Sequence, residues 1–228
     1  MVCWDRRGLG PHPHRALAHA TVEVVAERGR SVIVGPTTGL FTRVIGGRGR
    51  AFGMRFRPAG FQPLLGSPVS TLTDRRVAVS ALLGSDGDEL VERLLSLDDE
   101  SRMVEVAETF VRGRLSASDP MVTEINRIVQ EVMADRRITR VAEVVERTGI
   151  GERTLQRLFA KYVGVAPKWV IRRYRLVDAS ERLAAGASLD LAALALELGY
   201  FDQAHFTRDF KAIVGRPPGD YARTAAPQ

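Results

Sequence analysis

The sequence predicts an α+β chain in two parts: a β-rich N-terminal part that ends in helices, and an all-helical C-terminal part built on a repeated unit. Three observations predict it. Short runs of β-branched and aromatic residues, separated by Gly, Arg and Pro, crowd residues 21–58. Apolar residues at helical spacing take over from Asp86 onward. One pattern, a short helix closed by a glycine turn and followed by a helix with a basic polar face, occurs twice, about 50 residues apart.

The totals set the frame. A chain of 228 residues suits one large or two modest domains, and a hydrophobic fraction of 45% is enough to bury a core. A net charge of +6 and a pI near 10.1 lean towards an anionic partner. The excess is even: residues 1–118 carry 16 basic and 13 acidic side chains, residues 119–228 carry 17 and 14. Local clustering, not net charge, must therefore locate a binding face. Cys3 is the only cysteine, which excludes a disulfide within the chain and fits a reducing cytoplasm. No run reaches the roughly 18 apolar residues of a membrane span. The opening MVCWDRRGLGPHPH has no apolar signal core. The expectation is a cytoplasmic protein with no membrane partner.

Trp4 to Arg7 reads like the end of a strand, with Gly8, Gly10, Pro11 and Pro13 breaking structure after it. A domain rarely begins so, and the expectation is a reading frame that starts upstream of Met1. His12, His14 and His19 invite a metal, because two His two apart on a strand face the same side. The next acid, Glu23, is too far on, prolines flank the pair, and a zinc site wants three or four ligands. The expectation is a turn with surface histidines, no metal and no cofactor.

From Thr21 to Pro58, TVEVVA, SVIVG, LFTRVI and AFGMRFR read as strands. In the last, Phe52, Met54 and Phe56 alternate with Gly53, Arg55 and Arg57, giving one core face and one basic face. Arg55 and Arg57 could bind an acidic effector or pair with surface carboxylates. Gly46-Gly47-Arg48-Gly49 reads as a hairpin turn, since no helix start follows it. Two helices follow, Asp86 to Leu97 and Asp98 to Leu115, the first with a candidate capping box at Ser85 and Asp88. Met103, Val106, Ala107, Phe110 and Val111 make one stripe on the second; it could dimerise or pack on its own domain. Ser116-Ala117-Ser118 is a linker, then Asp119 caps and Pro120 opens a new helix, which sets domains at 1–115 and 119–228.

That helix has a wide apolar face: Met121, Val122, Ile125, Ile128, Val129, Val132 and Met133. Thr139 then caps VAEVVERT, and Gly149 breaks it. In ERTLQRLFAKY, Leu155, Leu158, Phe159 and Tyr162 face inward, leaving Arg153, Thr154, Gln156, Arg157 and Lys161 on the surface. Lys168 to Ala184 is a joining helix about 25 Å long. After Leu198-Gly199-Tyr200, Asp202 is an N-cap and Gly215 a C′ glycine. Between them Phe206, Phe210 and Ile213 form the buried stripe, with Gln203, His205, Thr207, Arg208 and Lys211 opposite. Arg208 could instead pair with Asp209 or a neighbouring acid. From Glu152 to Arg175 seven basic residues meet one acid, which favours phosphate contact.

This C-terminal stretch resembles the AraC/XylS-type DNA-binding domain. Gly199, Phe206, Arg208, Phe210, Lys211, Gly215, Pro218 and Tyr221 occupy its signature without a gap. The first unit resembles that domain's first helix-turn-helix, including Gly164 and Pro167, but has Gly151 where the family has Ser. The resemblance implies a tandem helix-turn-helix domain and a sequence-specific transcription regulator, with double-stranded DNA and RNA polymerase as partners. It implies base reading by Arg153, Gln156, Arg157, Gln203, His205 and Arg208, and phosphate contacts from Thr154, Lys161, Thr207 and Lys211. Pro36 to Leu83 resembles an N-terminal domain that often precedes AraC-type DNA-binding domains. That implies a small β-barrel-like fold with appended helices, sensing an unknown small-molecule effector or forming a homodimer. No G-x-S-x-G, H-E-x-x-H, Walker A or C-x-x-C pattern occurs, so no enzyme is expected. The rival is a non-catalytic small-molecule- or metal-binding protein whose basic helices bind a protein partner.

Overall fold

The computed structural model describes residues 2–5, 12–16, 18–45, 50–115, 119–185 and 190–225. Among the described residues there are seven strands: β1 Val2–Asp5, β2 His12–Ala16, β3 Glu23–Glu27, β4 Val32–Val34, β5 Phe41–Ile45, β6 Arg50–Arg55 and, after a short helical stretch, β7 Arg76–Ala78. Five form an antiparallel sheet in the order β1-β6-β3-β4-β7, while β2 and β5 form a separate antiparallel ribbon. This is the β-barrel-like unit in open form; no closed ring of strands occurs among the described residues.

Register explains the core. Met54 lies opposite Val24 and Phe52 opposite Ala26, so the inward-facing residues of neighbouring strands meet on one face. On that face Phe52, Met54, Val24 and Ile33 are buried with Phe61, Leu90, Leu94, Met103 and Ala107. The last four come from α2 (Val79–Ser96) and α3 (Glu100–Arg114), so the α3 stripe packs on its own domain. The short α1 (Gln62–Leu65) and a 3-10 turn (Val69–Leu72) close one side.

Three expectations here need correction. The H-x-H pair lies on β2, paired with β5, rather than in a turn. A further helical segment precedes the one expected at Asp86–Leu97: α2 (Val79–Ser96) is two helices broken at Gly84, whose φ of 66° and extended ψ suit glycine. Ser85 and Asp88 form no capping box; the Ser85 hydroxyl meets the Asp86 carboxylate at 3.4 Å. The glycine run at 46–49, the breakers at 8, 10 and 11 and the linker at 116–118 lie outside the described residues.

The C-terminal part holds α4 (Pro120–Ala134), α5 (Val141–Thr148), α6 (Glu152–Tyr162), α7 (Pro167–Ala184), α8 (Leu191–Glu197), α9 (Gln203–Val214) and α10 (Pro218–Ala225). Asp119 caps α4 by accepting from the Met121 N–H at 2.9 Å. On α4, Ile125, Ile128, Val129 and Val132 are buried, whereas Met133 is 60% exposed. Thr139 does not cap α5. The Glu143 carboxylate reaches back to the Thr139 and Arg140 N–H groups at 2.6 and 3.2 Å, the return half of a capping box. One core joins α4, α5, α6 and the start of α7; another joins the end of α7 with α8 and α9. α7 is therefore shared by two helix-turn-helix units. Among the described residues no helix is long and apolar enough to cross a membrane.

Candidate nucleic-acid interface

Each unit turns on a left-handed glycine: Gly149 (φ 68°) between α5 and α6, and Gly199 (φ 69°) between α8 and α9. The second helix of each unit is then fixed by its apolar stripe. In α6, Leu155, Phe159 and Tyr162 are buried; in α9, Phe206, Phe210 and Ile213 are. The opposite faces point to solvent. Arg153, Thr154, Gln156, Arg157 and Lys161 are exposed on α6, as are Gln203, His205, Arg208 and Lys211 on α9; Thr207 is half-buried.

The exposed groups differ in how free they are. Gln156 donates to the Glu152 carboxylate at 3.1 Å, and the Lys161 ammonium sits 4.8 Å from the Tyr162 ring centre. The His205 ring meets Tyr200 edge-on at 5.1 Å, with its Nε2 3.7 Å from Asp209. Among the described residues, Arg153, Arg157, Arg208 and Lys211 have no side-chain partner. Arg208 does not pair with Asp209, which faces Arg172 from 3.4 Å.

Three of the seven basic residues between Glu152 and Arg175 turn inward instead. Arg172 meets Asp209. Arg175 stacks 4.6 Å from the Tyr200 ring centre and donates to the Thr139 carbonyl at 3.4 Å. Arg173 donates to the Ala18 carbonyl of the N-terminal part at 2.5 Å. Burial holds the Arg173 and Arg175 guanidiniums below their ordinary range and pushes the Tyr200 phenol up. A signal was present in the sequence: Arg172, Arg175, Leu176 and Ala179 share one helical face, and the last two are fully buried.

Residues 144–224 match a family described as a helix-turn-helix domain. Part of the chain also aligns with two proteins described as AraC-like transcription regulators. One, from Streptomyces lividans, is 31% identical over 83 residues, and one from Streptomyces antibioticus is 32% identical over 87. This segment belongs to the AraC-type helix-turn-helix family. The aligned part is 36% and 38% of this chain but only 27% and 28% of those relatives. Residues 1–78 match a domain of unknown function, DUF6597. An AraC family regulator from Rhodopseudomonas palustris is 26% identical, with a TM-score of 0.40, over 44% of this chain and 94% of its own. ToxT from Vibrio cholerae is 10% identical, with a TM-score of 0.41, over 93% and 97%.

A cleft of about 610 Å³ lies where the N-terminal part meets α4 and α7. Arg55, Arg136, Arg173 and Arg175 line it, with His19 and Met133. Arg55 donates to Glu23 at 2.6 Å, as a surface pair would. Arg57 is exposed and not part of the cleft lining. His19 Nδ1 lies 3.0 Å from the Thr21 carbonyl, and burial, opposed by Glu23, lowers its pKa. Among the described residues no three His, Cys, Asp or Glu side chains converge as metal ligands.

Proposed function

We propose that this chain is a sequence-specific DNA-binding transcription regulator that lays α6 and α9 in successive major-groove segments. One observation carries the reading: both helices present an exposed polar face whose arginines have no partner among the described residues. Arg153, Gln156 and Arg157 on α6, with Gln203, His205 and Arg208 on α9, are suited to base edges; Arg grips guanine and Gln adenine by paired bonds. Thr154, Lys161, Thr207 and Lys211 are suited to phosphates. Two such helices joined through α7 would suit grooves about 34 Å apart, with some bending of the duplex.

The N-terminal part acts as the sensor in this reading. An anionic small molecule would enter the cleft beside Arg55 and Arg173, where two guanidiniums stand close and only one has a carboxylate. Arg57 would act only at the rim. Homodimerisation through the N-terminal part and contact with RNA polymerase complete the proposal. The test is selection of bound duplexes from fragmented genomic DNA by the full chain, followed by footprinting across a salt series. The expected result is salt-dependent protection of two segments one turn apart. Failure to enrich any sequence at low salt overturns the reading.

A further inference from the structure

Phe201 is 89% exposed, the barest of the exposed large apolar side chains among the described residues. It sits immediately before Asp202, the N-cap of α9. The first unit shows what this place does when it is structural. There Ile150 precedes the N-cap Gly151 and packs partly buried against the core. A residue in that position staples the chain to the fourth helical residue, here Leu155 in α6 and Phe206 in α9. In the second unit Tyr200 takes that role, its ring 5.5 Å from the Phe206 ring. Phe201 is thereby released from the fold and held in water at the tip of α9.

The surroundings of that tip favour DNA as the group that covers it. Gln203, His205 and Arg208 are exposed beside it, and the Asp202 carboxylate is engaged by the His205 N–H at 2.6 Å. In this motif the N-terminal end of the second helix meets base edges. A phenyl ring has one partner there, the thymine 5-methyl group, which it recognises by apolar contact. We propose that Phe201 is a specificity residue that packs on a thymine methyl in the major groove, next to the bases met by Gln203 and His205. This rests on the DNA-binding reading above.

The experiment uses the full chain and its selected duplex, with each thymine replaced in turn by uracil, which removes only the methyl. Wild type should lose about fourfold in affinity at one position, the worth of burying one such group. F201A should bind the thymine duplex about as weakly as wild type binds that uracil duplex, and should not tell the two apart. F201L should recover part of the loss. Its surface position predicts an unchanged melting curve for F201A. If F201A binds as wild type and still prefers thymine, or if no uracil substitution matters to wild type, Phe201 is not a base reader, though the regulator reading stands. A wild-type chain that selects no sequence overturns both.

Discussion

At the residue scale, two basic side chains on one helix are expected to behave differently. Arg157 is exposed and, among the described residues, unpartnered, little more than one turn from the N-terminal end of α6. Replacing it with Ala should relax preference at one or two base pairs, with about 1–3 kcal/mol of discrimination lost. Lys161 lies at the other end of α6, against the Tyr162 ring. Its loss should weaken all duplexes alike and lower the salt slope by about one. Binding titrations of both variants on preferred and scrambled duplexes over a salt range separate them; a uniform loss for Arg157→Ala would make it a phosphate contact. Asp119 offers a test of stability instead. The Tyr162 hydroxyl donates to it at 2.6 Å and, with the Met121 N–H, holds its carboxyl below the usual range. A carboxylate depressed on folding stabilises the fold above its unfolded pKa, and that support is lost as pH falls through the folded value. Asp119→Asn should therefore be less stable than wild type at neutral pH, with the gap closing in acid. Asp119→Ala should lose the cap as well, about 1 kcal/mol. Urea unfolding at both pH values checks the sign.

At the element scale, α7 sets how α6 and α9 face. Arg172 and Arg175 near its middle bind Asp209 and Tyr200 of the second unit, while Val170 and Ile171 sit in the first unit's core. One alanine inserted after Asp178 turns the C-terminal end of α7 by about 100° relative to its start. Leu183 would leave the second core while Arg172 and Arg175 stayed behind, so a folded variant should lose the two-segment footprint. Wild-type affinity and footprint in that variant would mean the units are not rigidly coupled. The helices of both units were legible because stripe, cap and glycine agree: Asp202, Phe206, Phe210 and Gly215 each specify the same helix. The exposed faces followed from those stripes. The illegible features depended on distant partners. The inward turn of Arg173 needs the Ala18 carbonyl, and the early start of α2 depends on a kink at Gly84 that local capping rules do not foresee. His12 and His14 join a strand because β5 pairs with them, against the prolines that argue for a turn.

At the scale of the whole molecule, the N-terminal part grips both units at matching places. Gly164 and Gly215 end α6 and α9 in the left-handed conformation, with φ of 87° and 89°. A Cβ on Gly164 would meet the Pro36 ring at 2.9 Å and the Val69 carbonyl at 3.1 Å; one on Gly215 would meet the Leu40 side chain at 2.4 Å. The run 36–40 thus lies against the C-terminal ends of α6 and α9. Three hydrogen bonds reinforce it: Thr73 to the Gly164 carbonyl at 2.6 Å, the Ala59 N–H to buried Asn126 at 3.1 Å, and Arg173 to Ala18. These contacts fix the units to the N-terminal part as well as to each other; in the proposed function, that is the route by which a ligand in the cleft shifts DNA affinity. The seating can be measured with three glycines. Gly149 is also left-handed but has nothing within 4 Å of its Cβ position. Gly149→Ala should therefore cost only the conformational strain, about 1–2 kcal/mol. Gly215→Ala should cost that strain plus the clash with Leu40, and Gly164→Ala more still, because backbone cannot move aside as a leucine can. Leu40→Ala made together with Gly215→Ala removes the clash and leaves the strain. The double mutant should therefore be more stable than the sum of the single costs, with a coupling in the range of about 0.5–3 kcal/mol. Urea unfolding of the full chain for these four variants and for Leu40→Ala alone gives every cost and the coupling. Strictly additive Leu40 and Gly215 effects, with Gly215→Ala no worse than Gly149→Ala, would mean that the N-terminal part does not sit on the second unit in solution, and the proposed path from cleft to DNA would have to run through the first unit alone.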